Sequence, residues 1–357
     1  MTHKKTIYIW DGGVFSPPTR AVGKLAFNIA TYMSSKFDDK VNVEYHFVPT
    51  NKYYNKPWVR CVDEDDRIHM LKNLVEYINT TYSVPPNVTF IVNEHDIEFG
   101  KREKDQGTTM KSLEYFNTKQ LKNVYLSNSI DNIINRLNGQ WQQSLNLFFS
   151  VHSICYDIYS AELIGVNQSY DYVYNSIKLG ELLKQSNYDY PKEIEQYFKT
   201  NKITNKEIDD FVIFNKHEAK FEGLKKLIMS RIIFLPKHVV PETYKAVAGN
   251  RVREELDVYY SSLKNIQNFT TPGIEKYITD KGLYEHCKSR YVDKLISKKK
   301  KNTKNRQRTK TRSEKKSRQQ TKTKNNRHGT RNTRTNTKTN TKTKTKTKTK
   351  TKTKTKQ

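Results

Sequence analysis

The chain has 357 residues and a formal charge of +28, but the excess is local: from Lys298 to Gln357 there are 26 lysines and arginines against one glutamate, Glu314. Residues 1–297 carry 39 basic and 36 acidic side chains, so the body is a near-neutral globular protein and the basicity belongs to an appendage. Cys61, Cys155 and Cys287 are too widely spaced for a disulfide framework or paired zinc ligands, which fits a reducing compartment. The apolar run Ile7 to Trp10 is too short for a signal peptide, and no stretch approaches the roughly 18 apolar residues of a membrane span. The expectation is a soluble intracellular protein, cytoplasmic or nuclear.

In chain order, Thr6–Trp10 reads as a buried strand ended by Asp11-Gly12-Gly13, and Thr19–Lys36 as a helix with Val22, Leu25, Ala26, Ile29 and Met33 at helical spacing. Val41–Val48 is the next strand, closed by Pro49. Asp63–Asn79 is a helix whose opening acids suit its N-terminus. Pro85-Pro86 precedes the strand Val88–Val92. A short helix over Thr108–Phe116, a strand over Asn123–Leu126, helices over Ile130–Leu137 and Trp141–Phe149, and a strand over Val151–Tyr156 follow. Alternation of this kind predicts an α/β fold, a Rossmann-like doubly wound parallel sheet.

Residues 165–228 are rich in Tyr and Lys and helical in pattern, which marks a helical insertion. The strand pattern resumes at Arg231–Leu235. Two helices come after it, near Asn250–Tyr260 and Thr271–Leu283, the second with Thr271 as N-cap and Pro272 at the first helical position. One domain is expected over residues 1–290. Residues 298–357 contain no Ala, Val, Ile, Leu, Met, Phe, Trp, Tyr or Cys. Such a segment has no apolar surface to offset roughly 1–2 kcal/mol per residue of backbone ordering, so a disordered low-complexity tail is expected. Its charge fits a non-specific arm for nucleic acid or another polyanion, or a solubilising repeat. It lacks the aromatic residues that base stacking needs.

The sharpest local signal is Gly12-Gly13-Val14-Phe15-Ser16-Pro17-Pro18-Thr19. A buried strand feeding a glycine turn and then a helix places backbone N–H groups and a helix N-terminus at the carboxyl edge of the sheet, which suits a phosphate. It contains neither Gly-x-Gly-x-x-Gly nor the Gly-Lys-Ser/Thr of a P-loop. On spacing alone, a structural turn and a phosphate site fit equally.

Gly13-Val-Phe15-Ser-Pro17-Pro-Thr19 resembles the first motif of the nicotinamide and nicotinate mononucleotide adenylyltransferases, Gly-x-Phe-x-Pro-x-His/Thr-x-x-His. Later segments resemble the family's motifs in order. Val48-Pro49, Lys52, Tyr53 and Lys56 to Trp58, with Arg67 and Met70, look like its substrate loop and helix. Thr109-Met-Lys-Ser112-Leu113 looks like its Thr-x-x-Thr/Ser-Leu helix start, and Ser129-Ile130-Asp131 with Trp141 like its Gly-x-Asp segment and following tryptophan. Val247-Ala-Gly-Asn250-Arg251-Val-Arg253 looks like its late Ile-Ser-Ser-Thr-x-x-Arg motif.

The resemblance implies adenylyl transfer from ATP, with Mg2+, to a pyridine mononucleotide, giving the dinucleotide and pyrophosphate. It implies nucleotide contacts at Gly12, Gly13, Phe15, Ser16, Asn250 and Arg251. Mononucleotide contacts are implied at Lys56, Trp58, Thr109, Asp131 and Trp141, and a catalytic arginine at Arg253. A homo-oligomer is compatible with it. Catalysis of this type is positioning plus neutralisation of phosphate charge.

The chain departs from that pattern where charge matters. Thr19 holds the first histidine position, as in some relatives, while Val22 holds the second; Ala248, Gly249 and Asn250 replace Ser, Ser and Thr. Losing one such contact costs on the order of 10²–10³ in rate. Arg20 and Arg251 are the cations best placed to stand in, whereas Lys24 is turned away by helix geometry. A catalytically degenerate nucleotide-binding homologue is the alternative. Trp58 and Trp141 fit a core position as well as a ligand stack, Asp131 a helix cap as well as a ribose contact, and Arg67 an ion pair with Asp63. His69 and His152 read as structural histidines, and His95-Asp96 lacks a partner at catalytic spacing.

Overall fold

The computed structural model describes residues 4–38, 40–54, 59, 62–107, 109–139, 144–157, 168–240 and 269–284. The chain divides into Met1–Arg290 and Tyr291–Gln357. The tail and the helix expected near Asn250–Tyr260 lie outside the described residues.

Six parallel strands form one sheet in the order β3-β2-β1-β4-β5-β6. They are β1 (Lys5–Gly13), β2 (Val41–Pro49), β3 (Val88–Val92), β4 (Val124–Ser129), β5 (His152–Tyr156) and β6 (Ile232–Phe234). This is the doubly wound α/β arrangement. The chain steps outward from β1 to β3 through α1 (Arg20–Lys36) and α2 (Glu64–Thr81). It then returns past β1 to β4 through α3 (His95–Glu103) and α4 (Thr109–Thr118). Right-handed crossovers therefore set α1 and α2 on one face, and α4, α5 (Ile130–Leu137) and α6 (Ser144–Ser150) on the other. The reversal of direction between β1 and β4 is the topological switch point, where such sheets open a crevice at their carboxyl ends.

Local chemistry accounts for the element boundaries. Thr19 caps α1, its Oγ1 accepting the Val22 N–H at 3.2 Å, and Leu25, Ala26, Ile29, Ala30 and Met33 bury the core-facing stripe. The insertion consists of α7 (Gln168–Ser176), α8 (Leu179–Gln185), α9 (Lys192–Thr200), α10 (Asn205–Phe214) and α11 (Glu218–Met229). Leu182, Leu183, Phe198, Phe211, Phe221 and Leu224 join one apolar cluster with Ile133, Phe148 and Cys155, so the insertion shares its core with the sheet's α5–α6 side. A reciprocal capping box between Thr204 and Glu207 starts α10. After β6 the described chain runs to residue 240, resumes at 269 and forms α12 (Pro272–Lys281), capped by Thr271.

Three expectations need correction. β1 runs through Gly12 and Gly13, which pair with Val48 and Pro49, so the glycines end the strand and the turn begins at Val14. β4 continues three residues beyond Leu126 to Ser129, because β5 supplies partners for Ser127, Asn128 and Ser129 although serine and asparagine are poor strand formers. The helix α3 was not anticipated: only Ile97, Phe99 and Gly100 are buried in it, too few to show a helical stripe.

Candidate functional site

The opening at the switch point follows from the registers. β1 stays paired with β2 as far as Gly13 and Pro49, and β4 stays paired with β5 as far as Ser129 and Tyr156. Between β1 and β4, pairing stops at Trp10 and Leu126. Beyond that point the two halves of the sheet part, and Gly12 is left exposed: a Cβ on it would meet no atom of the described residues within 4 Å. Gly13 differs, because a Cβ there would come within 3.0 Å of the Phe15 ring. Phe15 takes a left-handed φ of 47° and sets its ring edge-on to Phe47, with 5.8 Å between centroids.

The turn after Gly13 is held from several sides. The Thr50 N–H donates to the Gly13 carbonyl at 2.9 Å. Arg67 Nη1 of α2 donates to the Val14 carbonyl at 3.2 Å, and Ser16 Oγ lies 2.9 Å from the Tyr284 hydroxyl. Arg67 is wholly buried, and its Nε and Nη2 have no hydrogen-bond partner among the described residues. Burial lowers its pKa, while Glu64, Tyr284, Asp96 and Asp63 act the other way. Asp63 is thus a minor electrostatic neighbour of Arg67, and the contact made is with the turn.

The start of α1 is not the open anion site that the sequence suggests. The Arg20 N–H donates to the Phe269 carbonyl at 2.8 Å and the Val22 N–H to Thr19 Oγ1 at 3.2 Å, so two of the free donors of the helix end are used within the protein. Thr19 is buried in that cap. Arg20 Nε donates to the Thr270 carbonyl at 2.5 Å, and its guanidinium lies 6.0 Å from the Tyr77 ring centroid. Lys24 sits over the Phe27 and Tyr82 rings, 4.6 and 4.3 Å from their centroids, on the helix flank.

Polar groups gather where β1, β4 and β5 end. The Tyr45 hydroxyl donates to Asp11 Oδ2 at 2.9 Å. Burial pushes the Asp11 carboxyl up to about 6, with the Tyr45 hydrogen bond opposing. Burial raises the Tyr156 phenol, and the carboxylates of Asp11 and Asp131 push it the same way. The Cys155 thiol is raised by burial and then by Asp157 and Asp131. Ser129 stands at the N-cap position of α5 without a side-chain bond to the helix backbone, and its Oγ donates instead to the carboxylate of Asp131, an exposed first-turn acid. Asn128 is buried, and its Nδ2 has no partner among the described residues.

Four histidines bond or pack within the protein. His46 Nε2 is 3.2 Å from Glu44 and Nδ1 is 3.1 Å from the Asn93 amide. His95 packs on Tyr115, His69 on Tyr277 and His152 on Tyr125, at centroid distances of 4.0, 4.0 and 5.1 Å. Asp96 accepts the Asn51 N–H at 2.9 Å. No three His, Cys, Asp or Glu side chains gather as a metal site among the described residues.

Of the residues singled out in the sequence, Gly12, Gly13, Phe15, Ser16, Thr19, Arg20 and Asp131 lie at the carboxyl ends of β1 and β4 or on the turn and helix starts beside them. Thr109 begins α4, its side chain outside the described residues. Lys56, Trp58, Trp141, Asn250, Arg251 and Arg253 also lie outside them. Sequence reasoning missed Asp11, Ser127, Asn128 and Tyr156. Their signal was present: Asp11 follows the apolar Ile7–Trp10, and Ser-Asn-Ser follows Leu126, so polar residues end two adjacent strands at one level.

No protein-family model matches the sequence, and no curated protein matches it. Among solved structures the chain is similar to the Plasmodium falciparum nicotinic acid mononucleotide adenylyltransferase. In that enzyme's complex with NaAD the TM-score is 0.46 at 13% identity, covering 79% of this chain and 98% of that one. In its complex with APC the TM-score is 0.45 at 14% identity, with the same coverage of 79% and 98%. The likeness is one of fold. No helix among the described residues is long and apolar enough to cross a membrane.

Proposed function

We propose that the chain binds nucleotides at the parted ends of β1 and β4 and transfers an adenylyl group from ATP to nicotinamide or nicotinate mononucleotide. The observation that carries this reading is the loss of β1–β4 pairing beyond Trp10 and Leu126, which leaves Gly12 open at the switch point. The ordered motif resemblance supplies the reaction. An oxygen of the mononucleotide phosphate attacks the α-phosphorus of ATP; a new P–O bond forms, the bond to the β-phosphate's bridging oxygen breaks, and pyrophosphate leaves with the electron pair.

The protein's part is to align the two phosphates and neutralise their charge. Arg253 is the residue assigned to that neutralisation, with Arg251 and Asn250 beside it in sequence. Arg20 contributes by fixing residues 269 and 270, and with them the end of the segment that carries these three. Mg2+ would arrive on the triphosphate, as it commonly does.

The test is synthesis of the dinucleotide by the full chain from ATP, Mg2+ and each mononucleotide, followed by product and pyrophosphate detection. Product that falls on the order of 10²–10³-fold in Arg253→Ala supports the reading. Absence of product at high protein concentration overturns it as an enzyme. The buried, capping Thr19 and the occupied N–H of Arg20 favour a second reading, a nucleotide binder without efficient turnover. Calorimetric binding of ATP without product would establish that reading.

Residues 298–357 are proposed to bind polyanions through charge alone, given their 26 basic side chains. Binding to a nucleic acid that weakens steeply with salt and vanishes when those residues are deleted supports this. Salt-insensitive binding contradicts it.

A further inference from the structure

His46 of β2 and Asn93, the residue after β3, are joined in a way that ties a helix to a proton. His46 pairs in register with Trp10, whose ring stacks on the imidazole at a centroid distance of 5.8 Å. The histidine is buried and both its nitrogens are engaged: Nε2 lies 3.2 Å from Glu44 Oε2 and Nδ1 lies 3.1 Å from Asn93 Nδ2. Hydrogen-bond direction fixes the tautomer. Asn93 Oδ1 accepts the His95 N–H at 3.0 Å, and a backbone N–H only donates, so the amide's NH2 group faces His46. That NH2 group also only donates. Nδ1 is therefore the acceptor, and the ring proton sits on Nε2, donated to Glu44.

A protonated His46 carries a hydrogen on each nitrogen and breaks this pattern. Its Nδ1–H would face the Asn93 NH2, donor against donor in a buried place. Turning the amide over relieves the histidine but sets the NH2 against the His95 N–H, so one conflict always remains. The His95 N–H belongs to the first residue of α3, and Glu94 at the cap position makes no side-chain bond to the helix. Asn93 thus supplies the acceptor for the start of α3, and it does so only while His46 is neutral. Burial lowers the His46 pKa below the ordinary 6.5, with Glu44 opposing. The stability tied to the neutral ring is complete above 6.5 and is lost as pH falls through the folded-state value. The other groups around the ring are Tyr8 of β1, 6.1 Å away, Ile91 of β3, and His95 of α3, which packs on Trp10 and Tyr115 with Glu98 and Arg102 as its charged neighbours. Glu94 is paired with Lys72.

The helix α3 is in turn clasped to the segment after β2. The Asn51 N–H donates to Asp96 Oδ2 at 2.9 Å, and Asn51 Nδ2 donates to the Asp96 and Asp105 carbonyls, each at 3.0 Å. One buried asparagine therefore holds both ends of α3. The packing is so close that a Cβ on Gly100 would come within 2.6 Å of the Asn51 side chain. Asn51 Oδ1 also accepts the Tyr53 N–H at 3.0 Å, so its position sets the course of the chain beyond it. We propose that His46 and Asn93 form a pH-sensitive switch: neutral His46 leaves Asn93 holding the start of α3, and protonation of His46 releases that start and loosens the clasp on Asn51.

The experiment follows the His46 ring by nitrogen NMR and backbone protection by hydrogen exchange, on the full chain and on His46→Gln and Asn93→Asp, between about pH 7.5 and 5, where histidine titrates. At the upper end the wild-type ring should bear its proton on Nε2 alone. As the ring takes up its second proton, amide protection at the start of α3 and at Asn51 should fall about tenfold relative to α2, the cost of setting two buried donors against each other. The carboxylate of Asn93→Asp accepts from both neighbours, so His46 should protonate at higher pH there and α3 should keep its protection. His46→Gln has no ring to protonate and should show no such fall. A proton on Nδ1 at neutral pH, a ring that stays neutral until the whole protein unfolds, or titration without any change in α3 would overturn the proposal. So would a fall shared equally by α2, or one that persists in His46→Gln and therefore belongs to His95. If His46→Gln does not fold, Asn93→Asp decides alone: an undiminished fall in that variant overturns the switch.

Discussion

The carbonyl of Phe269 accepts the backbone N–H of Arg20 at 2.8 Å, and the Arg20 side chain returns the contact through Nε to the Thr270 carbonyl at 2.5 Å. The first residue of α1 is thereby tied to the segment that leads into α12. Arg20→Ala should cost about 2 kcal/mol, the worth of a charge-assisted hydrogen bond. Native-state hydrogen exchange should also show faster exchange in α12 than in α2. Wild-type stability and exchange in the variant would show that the tie carries no weight.

Asp11 gives a pH signature. Its folded-state carboxyl titrates at about 6, above the ordinary 3.8, because burial disfavours its charge. The folded protein therefore holds a proton that the unfolded chain has released between about pH 4 and 6, and stability falls as pH rises through that window. The total loss is on the order of 2–3 kcal/mol. Asp11→Asn can still accept from Tyr45 and removes the ionisation, so denaturant unfolding of that variant should be more stable at pH 7 and flatter from pH 4 to 6. An unchanged pH profile would contradict the assignment.

Arg67 connects α2 to the turn through one hydrogen bond to Val14, while its Nε and Nη2 have no partner among the described residues. Replacing it removes the hydrogen bond from a charged donor to the Val14 carbonyl, worth about 1.5–3 kcal/mol. Arg67→Met should lose stability by that order in urea unfolding. A gain in stability would mean that the cation is a net burden.

The sheet was legible in the sequence because its strands are short apolar runs between helical stripes, and α1 and α12 announced themselves by Thr19 and by Thr271-Pro272. The turn after Gly13 was legible from its two prolines and from the glycines that end the strand before it. What was not legible depended on neighbours. Ser127 to Ser129 are strand only because β5 lies alongside, and the start of α1 looks like an anion site until Phe269, distant in sequence, takes its first N–H.

Gly12 offers the most direct test of nucleotide binding at the parted strands. A Cβ there meets no atom of the described residues within 4 Å, and a β-branched residue suits the strand, so Gly12→Val should fold and unfold like the wild-type chain or slightly better. The measurement is a calorimetric titration of wild type and Gly12→Val with ATP and with nicotinamide mononucleotide. The account predicts that the valine fills the opening and weakens at least one of the two ligands tenfold or more at unchanged melting temperature. Wild-type affinity for both ligands in Gly12→Val would contradict it.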